Sequence, residues 1–223
     1  MLHCRLDRHS KAVALGISLF GEEHKAGVLG IVNYVQLSST EHPSLVVYHD
    51  FNHLVAVALR ADSFAVSMNL SIEERQTLFL AAMFHDILHS CGNAVDIINI
   101  TTAMYEIQEV CRMDFYPFIA HINVEQISHA IMCTIFPFRI RPTNEIECCL
   151  RDADLCMSLE EDADMFALGL QNEFANKGET VNVTVESMME FAKLQRFYTI
   201  ECAQLFGFNH AYRFKTDKLK TKE

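Results

Sequence analysis

Residues that could bind a metal ion and transfer protons lie close together in the segment AAMFHDILHS. His85 and Asp86 are adjacent, and His89 follows four residues after His85. On a helix, residues four apart share a face, and Asp86 would lie on the flank of that face. These side chains interrupt an otherwise apolar run, and a buried imidazole or carboxylate is costly unless it is paired or coordinated. The combination suits divalent Mn, Fe, Zn or Mg, although a buried His–Asp ion pair fits the same residues.

Two further segments carry residues of the same types. In YHDFNHLVAVAL, His49 and His53 are again four apart, and we expect Asp50 to face elsewhere. In CCLRDADLCM, Asp152 and Asp154 are two apart in a strongly apolar stretch, so a helix would point them in different directions. One of the two can complete a site that already holds two histidines and an aspartate, and the spacing leaves open which one.

Composition restricts the classes of partner and the cellular compartment. The chain has 223 residues, 50% of them hydrophobic, which is enough to bury a sizeable core. Its formal net charge of −11 repels polyphosphate backbones, so we do not expect it to bind nucleic-acid duplexes. The eight cysteines form no CxxC pair, which favours reduced thiols and a cytoplasmic protein. No apolar run reaches the length of a membrane-spanning helix, and the oligomeric state is left open.

The spacing of apolar residues predicts an all-α fold. Ser71 and Glu74 have the spacing of a capping box, and Pro43 suits the start of a helix. Nothing in the chain alternates with the period of a β-strand. The predicted helices cover residues about 11–22, 44–67, 72–90, 93–113, 123–135, 144–175 and 184–208.

The chain shows no internal repeat and no linker rich in Pro, Gly or Ser, so we expect a single domain over residues 1–223. Its metal-site core would cover about 45–160, and C-terminal helices would cover about 161–210. The NKGET segment, residues 176–180, is predicted to be a loop between two of these helices.

The order of the three segments resembles a known family. YHxxxH, then HDxxHxxGN, then DADL is similar to the pattern of the HD-domain superfamily of metal-dependent phosphohydrolases, and in detail to the catalytic domains of cyclic-nucleotide phosphodiesterases. The match covers about residues 45–160. The resemblance implies a compact helical bundle and agrees with the all-α prediction. It also implies a divalent-metal-dependent phosphohydrolase that acts on a nucleotide or cyclic nucleotide through a metal-activated water.

The resemblance further implies roles for individual residues. His49 would protonate the leaving oxygen, and His89 would support a second metal site or bind phosphate. Asp86 would bridge two divalent ions (Mn, Fe, Mg or Zn). The residues implied as ligands of the first ion are His53, His85, Asp86 and Asp154.

The sequence departs from the family pattern at several points. Asp50 stands where the phosphodiesterases have Asn, Asn93 is spaced differently from the family's Asn, and the glutamine that reads the purine is not located. Two alternatives therefore stay open. An HD-type di-iron oxygenase would need additional histidine ligands, for which His121 and His129 are the candidates. A non-catalytic nucleotide-binding module would keep the site without turnover.

Overall fold

The computed structural model describes residues 2–39 and 46–212 of the chain, and within them the regular structure is entirely helical. Short 3-10 helices cover Glu22–His24, Pro117–Ile119 and Leu155–Leu159. No helix in this part of the chain is long and apolar enough to cross a membrane. The α-helices are α1 (Leu2–Phe20), α2 (Lys25–Ser38), α3 (Phe51–Ser67), α4 (Ile72–Phe84), α5 (Asp96–Arg112), α6 (Val124–Met132), α7 (Glu145–Asp154), α8 (Ala163–Asn176), α9 (Val185–Lys193) and α10 (Ile200–Leu205).

Three helices, α3, α4 and α7, form the centre of the fold. Every residue of α4 from Thr77 to Phe84 is buried, and a helix that is apolar on all sides belongs in the middle of a bundle. Helix α3 packs along α4, α7 packs on both, and α1 and α6 cover the outside of this group. The N-terminus of α3 and the C-termini of α4 and α7 meet at one point. Several of the histidines and aspartates that the sequence analysis singled out lie at this meeting point.

The prediction for the N-terminal region is wrong in two respects. The first helix is longer than predicted, and α2 was not predicted at all. Gly27 and Gly30 weaken the helical pattern of α2, yet packing against the rest of the protein requires the small residue at Gly27. A Cβ added to Gly27 would lie 2.3 Å from the ring of Phe118. Close packing on the segment after α5 therefore overrides the low intrinsic helix propensity.

The predicted boundaries around the site also need correction. The helix predicted from residue 44 begins only at Phe51, and Pro43 lies outside the described residues. The capping box of Ser71 and Glu74 is confirmed at the start of α4. Helix α4 ends at Phe84 rather than near residue 90, and the chain then turns back through Leu88, whose φ of +54° is left-handed.

Two long helices of the prediction are each divided in the structure. The helix predicted over 144–175 divides into α7 and α8, with the 3-10 helix Leu155–Leu159 and the acidic residues 160–162 between them. Arg60 binds Glu160 and Arg8 binds Asp162, so tertiary ion pairs hold these acidic residues outside an α-helix. The helix predicted over 184–208 divides into α9 and α10. Helices α5 and α6 occur close to their predicted ranges, and residues 177–183 form a loop between α8 and α9.

Candidate metal centre

His53 is placed by the first turn of α3. Asp50 is the N-cap of this helix, and its side chain accepts hydrogen bonds from the backbone N–H groups of Asn52 and His53. Asp50 therefore organises the start of α3 and faces away from the site. His53 is fully buried, with its Nε2 directed to the meeting point of the three helices. Its Nδ1 has no hydrogen-bond partner among the described residues.

His85 and Asp86 face the same cavity because α4 ends just before them. In a continuing helix, adjacent side chains diverge by about 100°, but here His85 Nε2 and Asp86 Oδ2 lie 3.0 Å apart. His85 Nδ1–H donates to the carbonyl oxygen of Ala82 (2.7 Å), which leaves a lone pair on Nε2. The expectation that His85 and His89 share a helical face is wrong, because the helix ends first.

Asp154 and Asp152, between which the spacing alone does not choose, point in different directions in the structure. Asp154 is the last residue of α7, and its Oδ1 lies 3.3 Å from His53 Nε2 and 3.7 Å from His85 Nε2. Asp152 points to the other side of α7. Its Oδ2 accepts hydrogen bonds from the backbone N–H groups of Tyr198 (2.8 Å) and Thr199 (2.6 Å), so Asp152 anchors the segment that leads into α10.

The geometry of this central cluster fits a divalent ion. The cluster consists of His53, His85, Asp86 and Asp154. The measured separations between its ligand atoms are 3.0 to 3.7 Å. Bonds of about 2.0–2.2 Å from one ion to nitrogen and oxygen ligands place neighbouring ligand atoms about 3.0–3.6 Å apart. The C-termini of α4 and α7, which carry partial negative charge, also favour a cation here.

The electrostatic interactions within the central cluster also favour a bound cation. Burial alone would lower the pKa of His85, but the charges of Asp86 and Asp154 raise it well above its ordinary value. Burial would likewise raise the pKa of Asp86, but the neighbouring histidines, His85 first, hold it well below the usual range. The carboxylates thus stay charged, and positive charge beside them stabilises them. Protons on the histidines or a metal ion can supply that charge.

A second group lies beside the central cluster and is built around His49. Its Nδ1–H donates to Oε2 of Glu173 (2.6 Å), and its Nε2 lies 3.8 Å from Asp86 Oδ2. Oε1 of Glu173 accepts from the backbone N–H groups of Tyr48 (2.8 Å) and His49 (3.0 Å). Burial opposes the charge on His49, but Glu173 and then Asp86 raise its pKa to about 9. The pKa of Glu173 is lowered to about 2, against the effect of burial, chiefly by His49.

Sequence reasoning missed Glu173. It lies on the buried stripe of α8, in helical register with Phe166 and Gly169, and a carboxylate on such a stripe is a signal that it has a buried partner. Gly169 brings α8 close to the chain before α3. A Cβ added to Gly169 would lie 2.5 Å from the backbone of Val47 and Tyr48, so a larger residue would force the helix away.

His89 lies on the outer side of His49. The centroids of the two rings are 3.6 Å apart with their planes tilted by 31°, and the amide of Asn99 contacts Nε2 of His89 at 2.7 Å. Burial, together with the charge on His49, lowers the pKa of His89, so this ring is neutral. His49, Asp86 and His89 form a further group with metal-ligand spacing, as do His89, Cys91 and Glu173.

The remaining candidates do not reach the site. His121 is exposed and contacts Oε1 of Gln76 (3.1 Å), while His129 is exposed in a cavity between α5 and α6. Asn93 is exposed and donates to the carbonyl oxygen of Ser90 (2.9 Å). Asn99, which the sequence did not single out, is the asparagine that contacts His89.

No model of a known protein family matches this sequence, and no curated protein matches it either.

Proposed function

We propose that this chain is a divalent-metal-dependent phosphohydrolase of the HD-domain type, which cleaves a phosphate ester of a nucleotide or cyclic nucleotide. The observation that carries the proposal is the convergence of the central cluster at the meeting point of three helices, with a paired histidine and glutamate beside it. The ordered motifs YHxxxH, HDxxHxxGN and DADL, which resemble those of this superfamily, contribute the same histidines and aspartates.

The central cluster supplies the ligands for the ion. It would bind through the Nε2 atoms of His53 and His85 and through carboxylate oxygens of Asp86 and Asp154. When bound, a divalent ion stabilises negative charge on phosphate oxygens and makes water a stronger acid. The resemblance implies a second ion shared through Asp86, for which His89 is the neutral imidazole within metal-ligand spacing of Asp86.

His49 has the geometry of a general acid. Glu173 holds its Nδ1–H, so the ring is fixed with Nε2 towards Asp86 and the central cluster. Because Glu173 is the carboxylate that most favours the charged ring, His49 carries its second proton at neutral pH. It would donate the Nε2 proton to the departing ester oxygen, which makes the leaving group an alcohol rather than an alkoxide. A protonated ring is also a poor metal ligand, which favours the acid role over ligation.

The two alternatives have less support. An HD-type di-iron oxygenase needs additional histidine ligands, and His121 and His129 both lie on the surface away from the central cluster. A nucleotide-binding module would use only the charge of a protonated His49, whereas an ester hydrolase also uses the Nε2 proton that the ring directs towards the cluster. The pair of His49 and Glu173 therefore favours turnover over binding alone.

The function can be tested with purified protein that has been depleted of metal and then loaded separately with Mn²⁺, Mg²⁺, Fe²⁺ or Zn²⁺. Each form is assayed against bis(p-nitrophenyl) phosphate, cyclic nucleotides, nucleoside monophosphates and nucleoside triphosphates, with identification of the products. We expect hydrolysis that depends on the added ion, with cleavage of a P–O bond. Stoichiometric ion binding without hydrolysis of any of these esters would contradict the proposal.

A further inference from the structure

Two buried arginines of the chain differ in how their charge is balanced. Arg8 binds the carboxylates of Asp162 and Glu160 and donates to the carbonyl oxygen of Asn52 (3.0 Å). Arg151 is only 3% exposed, yet it forms no ion pair and no hydrogen bond with the described residues, and its Nη1 is enclosed without an acceptor. A buried cation without a hydrogen-bond acceptor is costly, and an anion that accepts from it would offset that cost.

The contact that Arg151 does make leaves its hydrogen-bond donors available. The guanidinium lies over the ring of Phe138, with the central carbon 3.0 Å from the ring centroid. A cation–π contact uses the flat face of the guanidinium, whereas its N–H groups point outward in the plane. The Phe138 contact therefore uses none of the N–H groups of Arg151, and its Nη1 is left without an acceptor that anionic oxygens could supply.

Arg151 lies one helical turn before Asp154, which places both on the same side of α7. Burial lowers the pKa of Arg151 to about 10, and Asp154 is the first of the carboxylates that oppose this, so the group remains charged at neutral pH. Once Asp154 binds a cation, its negative charge is compensated from the other side. Arg151 then loses the larger of its two opposing charges. Asp152, whose Oδ2 accepts from Tyr198 and Thr199, remains as the second.

The segment that covers Arg151 is also connected to the opposite side of the site. The ring of Phe138 packs against Phe136 with centroids 5.6 Å apart, and the backbone N–H of Phe136 donates to Oδ2 of Asp96 (2.5 Å). Oδ1 of Asp96 lies 3.9 Å from Nε2 of His89. Consecutive contacts through Phe138, Phe136 and Asp96 thus link Arg151 to His89.

We propose that Arg151 is a phosphate-binding residue of this site, whose guanidinium edge donates to anionic oxygens of the bound phosphate when the central cluster holds its ion. The identification of that phosphate as part of a substrate rests on the proposed function, whereas its binding does not. The ligand class is a phosphate ester whose non-bridging oxygens carry negative charge, and the same molecule without its phosphate is excluded.

The test compares the binding of adenosine 5′-monophosphate and of adenosine to Mn²⁺-loaded protein by calorimetry. Arg151→Met keeps the length of the stem under Phe138 but removes charge and donors. Arg75→Met is the matched control, because Arg75 pairs with Asp62 (2.8 Å) at the far end of α4. We expect Arg151→Met to raise the Kd for the monophosphate about 10- to 100-fold, as loss of a charge-assisted hydrogen bond does. Mn²⁺ affinity should not weaken, adenosine should bind poorly throughout, and the control should match wild type.

Equal affinity of wild type and Arg151→Met for the monophosphate would overturn the inference. If Arg151→Met does not fold, Arg151→Lys decides, because lysine keeps the charge but lacks the planar fork; it should weaken binding about tenfold, and wild-type affinity would overturn the inference. Hydrolysis assays separate the two proposals. Binding that depends on Arg151 without hydrolysis contradicts the proposed function alone, whereas hydrolysis with an unchanged KM in Arg151→Met contradicts this inference alone.

Discussion

The histidines on the two sides of Asp86 differ in the partner of their Nδ1 atoms. On the metal side, His85 gives its Nδ1–H to a backbone carbonyl, which leaves a lone pair on Nε2 for an ion. On the proton side, His49 gives its Nδ1–H to the carboxylate of Glu173, which favours a charged ring with a proton on Nε2. His53 and His49 are four residues apart in sequence but fall on opposite sides. For His85 and His49, the partner of Nδ1 decides what Nε2 can do.

The largest effect is expected from a substitution that disrupts metal binding but leaves His49 and Glu173 in place. Asp154→Asn should abolish stoichiometric Mn²⁺ binding and lower hydrolysis by more than about 1,000-fold, because loss of the ion removes several kcal/mol of transition-state stabilisation. Metal analysis of the purified variant and steady-state kinetics measure both effects.

Asp152→Asn is the matched control for this substitution. It keeps an oxygen acceptor for the N–H groups of Tyr198 and Thr199, and it removes a carboxylate whose pKa burial raises to about 6. Metal content and turnover should equal those of wild type. Loss of the ion in Asp152→Asn but not in Asp154→Asn would reverse the assignment of the two residues.

The next largest effect is expected from a substitution that removes the proposed proton donor but leaves the metal ligands in place. His49→Asn should keep the ion but lower kcat about 10²- to 10⁴-fold on esters with alkoxide leaving groups, since the general acid is absent. The loss should be much smaller on p-nitrophenyl esters, whose leaving group needs no proton. The same loss on both kinds of ester, measured as a ratio of kcat values, would mean that His49 acts in another way.

A smaller effect should follow when only the partner of His49 is changed. Because the charge of Glu173 raises the pKa of His49 to about 9, the acid form is present below that pH and is lost as pH rises through it. Glu173→Gln should therefore move the alkaline limb of the kcat profile down by at least about one pH unit. Glu190→Gln, at an exposed residue that pairs with Lys193, is the control and should leave the profile in place. If the alkaline limb of the kcat profile does not move in Glu173→Gln, Glu173 does not set the pKa of the general acid.

The smallest expected effect concerns the packing that brings the two sides together. Gly169→Ala would place a methyl group against the backbone of Val47 and Tyr48, so it should lower the free energy of unfolding by about 1–3 kcal/mol. It should also weaken the contact between Glu173 and His49 and lower kcat without loss of the ion. Gly30→Ala, which meets only the ring of Tyr116, is the control in chemical denaturation. Equal stability of the two variants would show that α8 can adjust.

Local sequence patterns predicted the helical class and the position of most helices, because apolar periodicity and caps such as Ser71 and Glu74 act over a few residues. They failed where tertiary contacts override local preference. Helix α2 contains two glycines that allow close packing on Tyr116 and Phe118, and the long predicted helices break where distant side chains bind the backbone or acidic residues. Neither effect is encoded within a short window.

The candidate site was likewise predicted only in part from the sequence. Motif spacing brought forward the residues that the structure gathers into the central cluster, although the reason given for the pair of His85 and His89 was wrong because α4 ends at Phe84. Glu173 and Arg151 were missed. Glu173 lies 124 residues from His49 in sequence, and the importance of Arg151 rests on the absence of a partner, which only the packed structure reveals.

The most direct test of the account is the anomalous diffraction of a crystal of this protein soaked in Mn²⁺. We expect an anomalous peak about 2.0–2.3 Å from Nε2 of His53 and His85 and from one oxygen each of Asp86 and Asp154. A peak bound instead by His89, Cys91 and Glu173, or no peak in a protein that hydrolyses phosphate esters, would contradict it.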